Sequence, residues 1–319
     1  PGHLSGGEKE QLNLIAALEF NPDILLIDDS LSFLSHKNKI KYVKILNEWI
    51  KKSSGIIIWV TSEYSDIQFG DYSWILSLSK IISCNSYLPK QYEMVDIHPG
   101  QLNCDINELG FNYQNSRSIF SKITIKIENV RSLGLYGENG SGKTTFAGLC
   151  FGDLKPTQGS MDFYLNGIND IRIGYLDQFP DHLIQLRTVN EFYSELILNQ
   201  VFDLSLEKTF KKRLSSVGMK WNYVKNKRAT ELPWEMLRLL LIILLCHCKF
   251  DVLILDEPTF GLGWEQRLRL CSFLRMCMTR MHFMIISHEL DFVHSICDQI
   301  IYFNRNNLEH AFVRNRQDA

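Results

Sequence analysis

The chain lacks any apolar run that could cross a bilayer as a helix: the longest, Leu239 to Cys246, has eight residues, against the roughly 20 that a spanning helix requires. It also lacks an excess of charge of one sign. A formal net charge of −2 gives no general attraction to polyanions, so nucleic-acid binding would need a local basic patch, and none stands out. The eight cysteines contain no Cys-x-x-Cys pair. The closest two, Cys246 and Cys248, sit in the apolar run rather than beside histidines at zinc spacing, and read as reduced core residues. An initiator Met and a signal peptide are missing too, and the chain opens almost at once on Leu4-Ser5-Gly6-Gly7-Glu8. The expectation is a fragment whose first part lies elsewhere.

What is present suits large cores. Hydrophobic residues make up 45% and charged residues 22% of 319 positions, the balance of an ordinary globular protein. That length favours about two domains.

Ser132 to Tyr136 reads as a short buried strand, followed by Gly137-Glu138-Asn139-Gly140-Ser141-Gly142-Lys143-Thr144 and a helical run from Thr145 to Phe151. The spacing Gly-x-x-x-x-Gly-Lys-Thr between a strand and a helix is a phosphate-binding P-loop. Its glycines let successive backbone N–H groups face the phosphates unobstructed. Lys143 supplies a mobile charge for the β and γ phosphates, the Thr144 hydroxyl can ligate magnesium, and the helix N-terminus adds a favourable dipole. These residues point to ATP or GTP.

Val252-Leu253-Ile254-Leu255 is a continuous apolar run of the kind buried in a parallel sheet, and it ends in Asp256-Glu257-Pro258-Thr259. Carboxylates at a strand's C-terminal end face the ligand crevice. Asp256 is then placed to hold magnesium, and Glu257 to orient or deprotonate the attacking water. A second run, Phe283 to Ile286, ends in Ser287-His288-Glu289. It would bring the His288 imidazole to the γ-phosphate; the alternative is a surface histidine at a strand end.

Gly137 to Thr144, Gln178 within Ile173-Gly174-Tyr175-Leu176-Asp177-Gln178, Asp256-Glu257-Pro258-Thr259 and Ser287-His288-Glu289 together resemble the ATP-binding-cassette (ABC) ATPases. The resemblance implies an α/β P-loop NTPase fold with a parallel core sheet, a small antiparallel β subdomain and a helical subdomain. ATP and Mg2+ are the implied cofactors. It implies that Gln178 senses the γ-phosphate, joins Thr144 and Asp256 around the metal and couples to a membrane partner. Gly137, Asn139, Gly140, Ser141, Gly142, Lys143, Thr144 and Thr145 would bind the nucleotide. Tyr113 sits where the family stacks an aromatic on adenine; the alternative is an aromatic filling a strand.

The opening segment repeats part of this order. Leu4-Ser5-Gly6-Gly7-Glu8 resembles the family's signature motif and precedes Ile24-Leu25-Leu26-Ile27-Asp28-Asp29, again an apolar strand ending in two acids. The signature-like position of the second repeat is Leu232-Pro233-Trp234-Glu235-Met236. Asp29 takes the place of Glu257, and Ser62 that of His288.

Cassettes of this family pair head to tail, each ATP lying between one P-loop and the other cassette's signature motif. By that resemblance Ser5, Gly6 and Gly7 complete a competent site with the second P-loop. The other site is degenerate: Pro233 and Trp234 remove the hydroxyl and the open backbone, Glu235 repels phosphate, Asp29 shortens the base, and Ser62 cannot replace imidazole. The Asp that usually closes the loop after the acidic strand is Gly263 here and Ser35 in the first repeat. The missing first part should hold the first P-loop and Q-loop.

Leu88 to Asn107, with Pro89, Pro99 and Gly100, reads as a linker. Residues 1–105 are then the back half of a first cassette plus linker, and 106–319 a complete second one, with a frayed tail from Arg314. The stretch Ile173 to His182 followed by Thr188-Val189-Asn190-Glu191 resembles the ATPases of energy-coupling factor (ECF) transporters, which import vitamins or metal ions. An ATPase at the cytoplasmic face of the cell membrane, partnered by transmembrane subunits, is the implied role. The alternatives are a soluble tandem ATPase acting on ribosomes or nucleic acid, whose charged helical linker this chain lacks, and a binding module without catalysis.

Overall fold

The computed structural model describes residues 6–29, 31, 36–77, 80–84, 91–95, 97–98, 100–113, 118–138, 140–304 and 312–315. They form two compact units, one of residues 1–91 with 261–267 and one of 92–260 with 268–319.

In the first unit, α1 (Gly6–Glu19) leads into β1 (Ile24–Asp28), α2 (His36–Ser53) and β2 (Ile56–Val60), with a hairpin of β3 (Trp74–Ser77) and β4 (Lys80–Ser83) after them. Strands β1 and β2 are parallel, Ile24 opposite Ile56 and Asp28 opposite Val60. One face of β1 turns Leu25 and Ile27 onto Leu14, Leu31, Tyr42 and Leu46, which form this unit's core. A buried ion pair from Lys39 Nζ to Asp66 Oδ1, 2.8 Å, ties α2 to the turn after β2.

The second unit opens with β5 (Leu102–Asn112) and β6 (Ser118–Val130), then β7 (Ser132–Gly137), α3 (Lys143–Phe151), β8 (Gln158–Leu165) and β9 (Ile173–Leu176). A helical region follows: α4 (Asp181–Ile184), α5 (Val189–Leu198), α6 (Glu207–Ser216), α7 (Trp221–Val224) and α8 (Trp234–Leu245). The chain returns through β10 (Val252–Asp256), α9 (Trp264–Cys277, in this unit from residue 268 on), β11 (His282–Ser287), α10 (Leu290–Ile296), β12 (Gln299–Phe303) and β13 (Phe312–Asn315).

Among the described residues the main sheet has the order β13-β12-β7-β11-β10-β9, parallel throughout except for the antiparallel edge pair β12–β13. Strands β6, β5 and β8 make a separate antiparallel sheet. The central strands are apolar on both faces because helices and the second sheet cover both; every residue of β10 and β11 is buried. Leu135, Phe146, Ile254, Ile286 and Phe303 meet Phe120 of β6 in one core. Helix α8 is buried almost all round from Leu237 onward, as its apolar run Leu239 to Leu245 requires. Helix α5 starts at a capping box in which the Thr188 side chain accepts from the Glu191 N–H and the Glu191 carboxylate from the Thr188 N–H.

Two local expectations are corrected. The segment read as linker up to Asn107 is β-strand from Leu102 onward, because Leu102, Cys104 and Ile106 alternate into the core. Arg314 and Asn315, read as a frayed tail, pair with Ile300 and Gln299 at the sheet edge.

Candidate active site

The parallel strands β7, β11 and β10 lie side by side and end together, so the loops after them share one crevice. After β7 the backbone turns through Gly140 at φ +72° and Gly142 at φ +102°. The second is a left-handed position that a side chain would strain, and an added Cβ there would stand 3.0 Å from the Phe120 ring. Lys143 opens α3 and folds back over the loop, its Nζ donating to the Gly137 carbonyl at 2.7 Å and the Glu138 carbonyl at 3.1 Å. Ser141 Oγ is buried with no partner among the described residues. A helix N-terminus, a folded lysine and an orphaned hydroxyl around one loop fit a phosphate group. Asn139 lies outside the described residues.

Thr144 Oγ donates to Asp256 Oδ2 at 2.9 Å, and the Tyr175 hydroxyl approaches the same oxygen at 3.4 Å. Burial, followed by the adjacent Glu257 carboxylate, pushes Asp256 up to about 7 against the opposing Thr144, Lys143 and Tyr175. A divalent cation would relieve that penalty, and a hydroxyl and a carboxylate are the hard oxygen donors magnesium takes, the rest of its shell being water and phosphate. Among the described residues no three His, Cys, Asp or Glu side chains cluster as a metal cage. Gln178 follows β9 and is half-buried.

Glu257 sits at φ +49°, a left-handed position rare for a residue with a side chain. Its N–H donates to the Ile286 carbonyl at 2.9 Å. Its carboxylate accepts from the Ser287 hydroxyl at 3.2 Å and the His288 N–H at 3.1 Å, and pairs with His288 Nδ1 at 3.0 Å. Burial alone would raise this carboxyl, but His288, Lys143 and Ser287 outweigh it and hold it below its ordinary range. The same carboxylate raises the His288 imidazole above its ordinary value, against burial. Tyr113, beyond the end of β5, is exposed at its ring and placed by its hydroxyl 3.1 Å from Thr145 Oγ1.

Sequence reasoning passed over Arg238. This arginine of α8 is fully buried. Its guanidinium donates to the Glu257 carbonyl at 2.5 Å and the Gln178 carbonyl at 2.6 Å, and lies 5.8 Å from the Trp234 ring and 5.5 Å from Phe260. Burial lowers it to about 10, so it stays charged at neutral pH. The available signal was a single cation just ahead of a long apolar run, Leu239 to Leu245.

The first unit carries a matching constellation. Asp29 has φ +51°, and its N–H donates to the Val60 carbonyl at 2.8 Å. Its carboxylate accepts from the Ser62 N–H at 3.1 Å and the Ser62 hydroxyl at 3.0 Å. The fold of Glu257 on His288 is thus reproduced with a shorter acid on a hydroxyl. Gly6 and Gly7 open α1; Ser5 and Ser35 lie outside the described residues.

Residues 120–260 match the family model described as ABC transporter. The Energy-coupling factor transporter ATP-binding protein EcfA2 of Clostridium perfringens is 29% identical over 199 residues, 58% of this chain and 69% of that protein. The Uncharacterized ABC transporter ATP-binding protein MJ0719 of Methanocaldococcus jannaschii is 24% identical over 336 residues, covering 94% of this chain, which spans 52% of the relative's length. A relative from Lactiplantibacillus plantarum is spanned over 37% of its length. Among solved structures, cbiO1 from Clostridium perfringens, part of the ABC transporter complex cbiONQ, superposes with TM-score 0.54 at 22% identity over 69% of this chain and 90% of its own. The matched part of the chain has the ABC-type P-loop NTPase fold.

Proposed function

We propose that this chain is part of an ATP-hydrolysing subunit that powers a membrane transporter at the cytoplasmic face, with transmembrane subunits as partners and a vitamin or metal ion as cargo, as in the ECF type. One observation carries the reading: the phosphate loop, the Thr144–Asp256 pair and the Glu257–His288 pair all sit at the C-terminal ends of adjacent parallel strands.

Lys143 and the loop N–H groups bind the triphosphate, and Tyr113 stacks on adenine. Thr144 and Asp256, with Gln178, would hold magnesium, which would neutralise phosphate charge. Glu257 orients the attacking water and takes its proton, and His288 holds the Glu257 carboxylate in place and contacts the γ-phosphate. The first unit is proposed to be the back half of a first cassette. Supporting this are the shared register of β1–β2 and β10–β11 and the shared backbone geometry of Asp29 and Glu257. Ser5, Gly6 and Gly7 would supply the γ-phosphate contacts that one cassette lends to another's P-loop. Asp29, Ser62 and the Pro233-Trp234-Glu235 stretch make the second site of such a pair degenerate.

The test is ATP turnover by the full-length protein with its membrane partners. Glu257→Gln is expected to lower kcat by at least about 100-fold, while Asp29→Asn leaves most of it. Equal losses would mean two firing sites, and turnover that responds to ribosomes or RNA rather than to membrane partners would favour a soluble tandem ATPase.

A further inference from the structure

Trp234 and Arg238 stand one turn apart at the start of α8, where the signature-like motif has lost its Ser and glycines. The proposed function treats that loss only as a defect, yet the side chains that replaced them are engaged. Trp234 packs edge-on against Phe179, the residue after Gln178, with ring centroids 6.2 Å apart, and against the Arg238 guanidinium. Arg238 in turn reaches two backbone carbonyls that belong to different loops, those of Gln178 and Glu257.

A buried guanidinium is costly to desolvate, and its two strong acceptors here are neutral carbonyls rather than a carboxylate. An ion pair is therefore not what keeps it in place. The guanidinium is planar and rigid, so bonding one carbonyl through each terminal nitrogen fixes the separation of the two carbonyls and the loops that carry them. One of those loops presents Gln178 and the other Glu257. The Glu257 backbone is in the left-handed region, where a carbonyl without a partner is free to relax and swing its carboxylate away from His288.

We infer that the degenerate signature position of the second unit has become a clamp within that unit: Arg238, walled by Trp234, is a positioning residue that locks the Gln178 and Glu257 loops together for hydrolysis. The inference rests on the proposed hydrolysis at this site. It turns Trp234 from a lost signature glycine into a supporting residue, and it predicts an effect on turnover rather than on nucleotide binding, since neither side chain touches the phosphate loop's own contacts.

The experiment uses the full-length protein with its partners and measures MgATP turnover and the affinity of a fluorescent ATP analogue for wild type, Arg238→Met, Arg238→Lys and Trp234→Leu. Arg238→Met keeps the volume and removes both donors; kcat is expected to fall by about 10- to 100-fold, the range that misplacing a reacting group produces, with analogue affinity within about threefold. Arg238→Lys keeps a cation that can reach one carbonyl and should recover part of kcat. Trp234→Leu, which leaves the cation in place, should lower kcat by about threefold or more at unchanged KM. Affinity, kcat and Tm falling together, with Lys no better than Met, would reduce Arg238 to packing and overturn the clamp. If Arg238→Met does not fold, Trp234→Leu decides, and an unchanged kcat overturns the proposal. Wild-type turnover with indifferent variants defeats the clamp alone, whereas a wild type without turnover removes the hydrolysis reading and the clamp with it.

Discussion

Glu257 pays for its position with a backbone angle that costs a side-chain-bearing residue about 1 kcal/mol, and the surroundings over-determine it. Its N–H, its carbonyl and both carboxylate oxygens are all engaged. Asp29 holds the same angle with a shorter arm, and its carboxylate accepts from the Ser62 N–H at the same 3.1 Å at which Glu257 accepts from the His288 N–H. Tyr113 shows a different economy: its hydroxyl is fixed on Thr145, and Phe111 supports it edge-on with centroids 4.9 Å apart, so the ring is oriented before any ligand arrives. Tyr113→Ala is expected to weaken ATP binding about tenfold, within the roughly 1–3 kcal/mol that base stacking on an aromatic contributes. Tyr113→Phe should keep affinity within about threefold. Equilibrium titration with a fluorescent ATP analogue checks both, and equal losses would mean that the hydroxyl, not the ring, is what matters.

At the scale of elements, the strands that carry the site were legible because each is a short unbroken apolar run ending in a distinctive polar group, as in Leu253-Ile254-Leu255-Asp256. β5 was less so. In the misread part Leu102, Cys104 and Ile106 alternate with Asn103, Asp105 and Asn107 just after Pro99 and Gly100, an alternation short and polar enough to read as linker, and the bulge at Glu108, φ +45°, ends it before Leu109. Arg238 was hidden for another reason. Its acceptors are backbone carbonyls 60 and 19 residues away, a relation that no local pattern encodes.

Two buried histidines also carry a pH response. His282 at the head of β11 is buried and pulled below its ordinary value by burial first and then by Arg131, and His247 after α8 is lowered mainly by burial. The Gln101 N–H donates to His282 Nε2 at 3.3 Å, a bond that requires the neutral ring. The unfolded chain takes up a proton near pH 6.5 that these folded rings resist, so unfolding free energy should fall as pH drops below about 6.5. The slope can reach ~1.4 kcal/mol per pH unit for each proton. His288, raised by Glu257, acts with the opposite sign and loses its contribution as pH rises above that range. His282→Gln keeps an acceptor for Gln101 and cannot titrate. Urea denaturation of the variant between pH 5.5 and 7 should show a flatter dependence than wild type, and an unchanged slope would clear His282 of the effect.

For the whole molecule, the two units differ in how completely they are covered. In the second, β10 and β11 are buried on both faces. In the first, Ile24 and Leu26 of β1 and Ile56, Ile58 and Val60 of β2 are all at least half exposed, although their register is the same. A continuous apolar sheet face open to water contributes nothing to stability and invites association. Under the proposed reading, the P-loop half of a first cassette would cover it. The chain as given should therefore unfold in two calorimetric transitions, the smaller first-unit core of Leu25, Ile27, Tyr42 and Leu46 melting first. A non-hydrolysable ATP analogue with magnesium, at about 100 times its Kd, should stabilise the later transition by roughly 2.7 kcal/mol, because the P-loop, Thr144 and Asp256 all belong to the second unit. A single transition that moves as a whole with nucleotide would mean that the two cores fold as one, and an unmoved second transition would mean that this P-loop does not hold ATP.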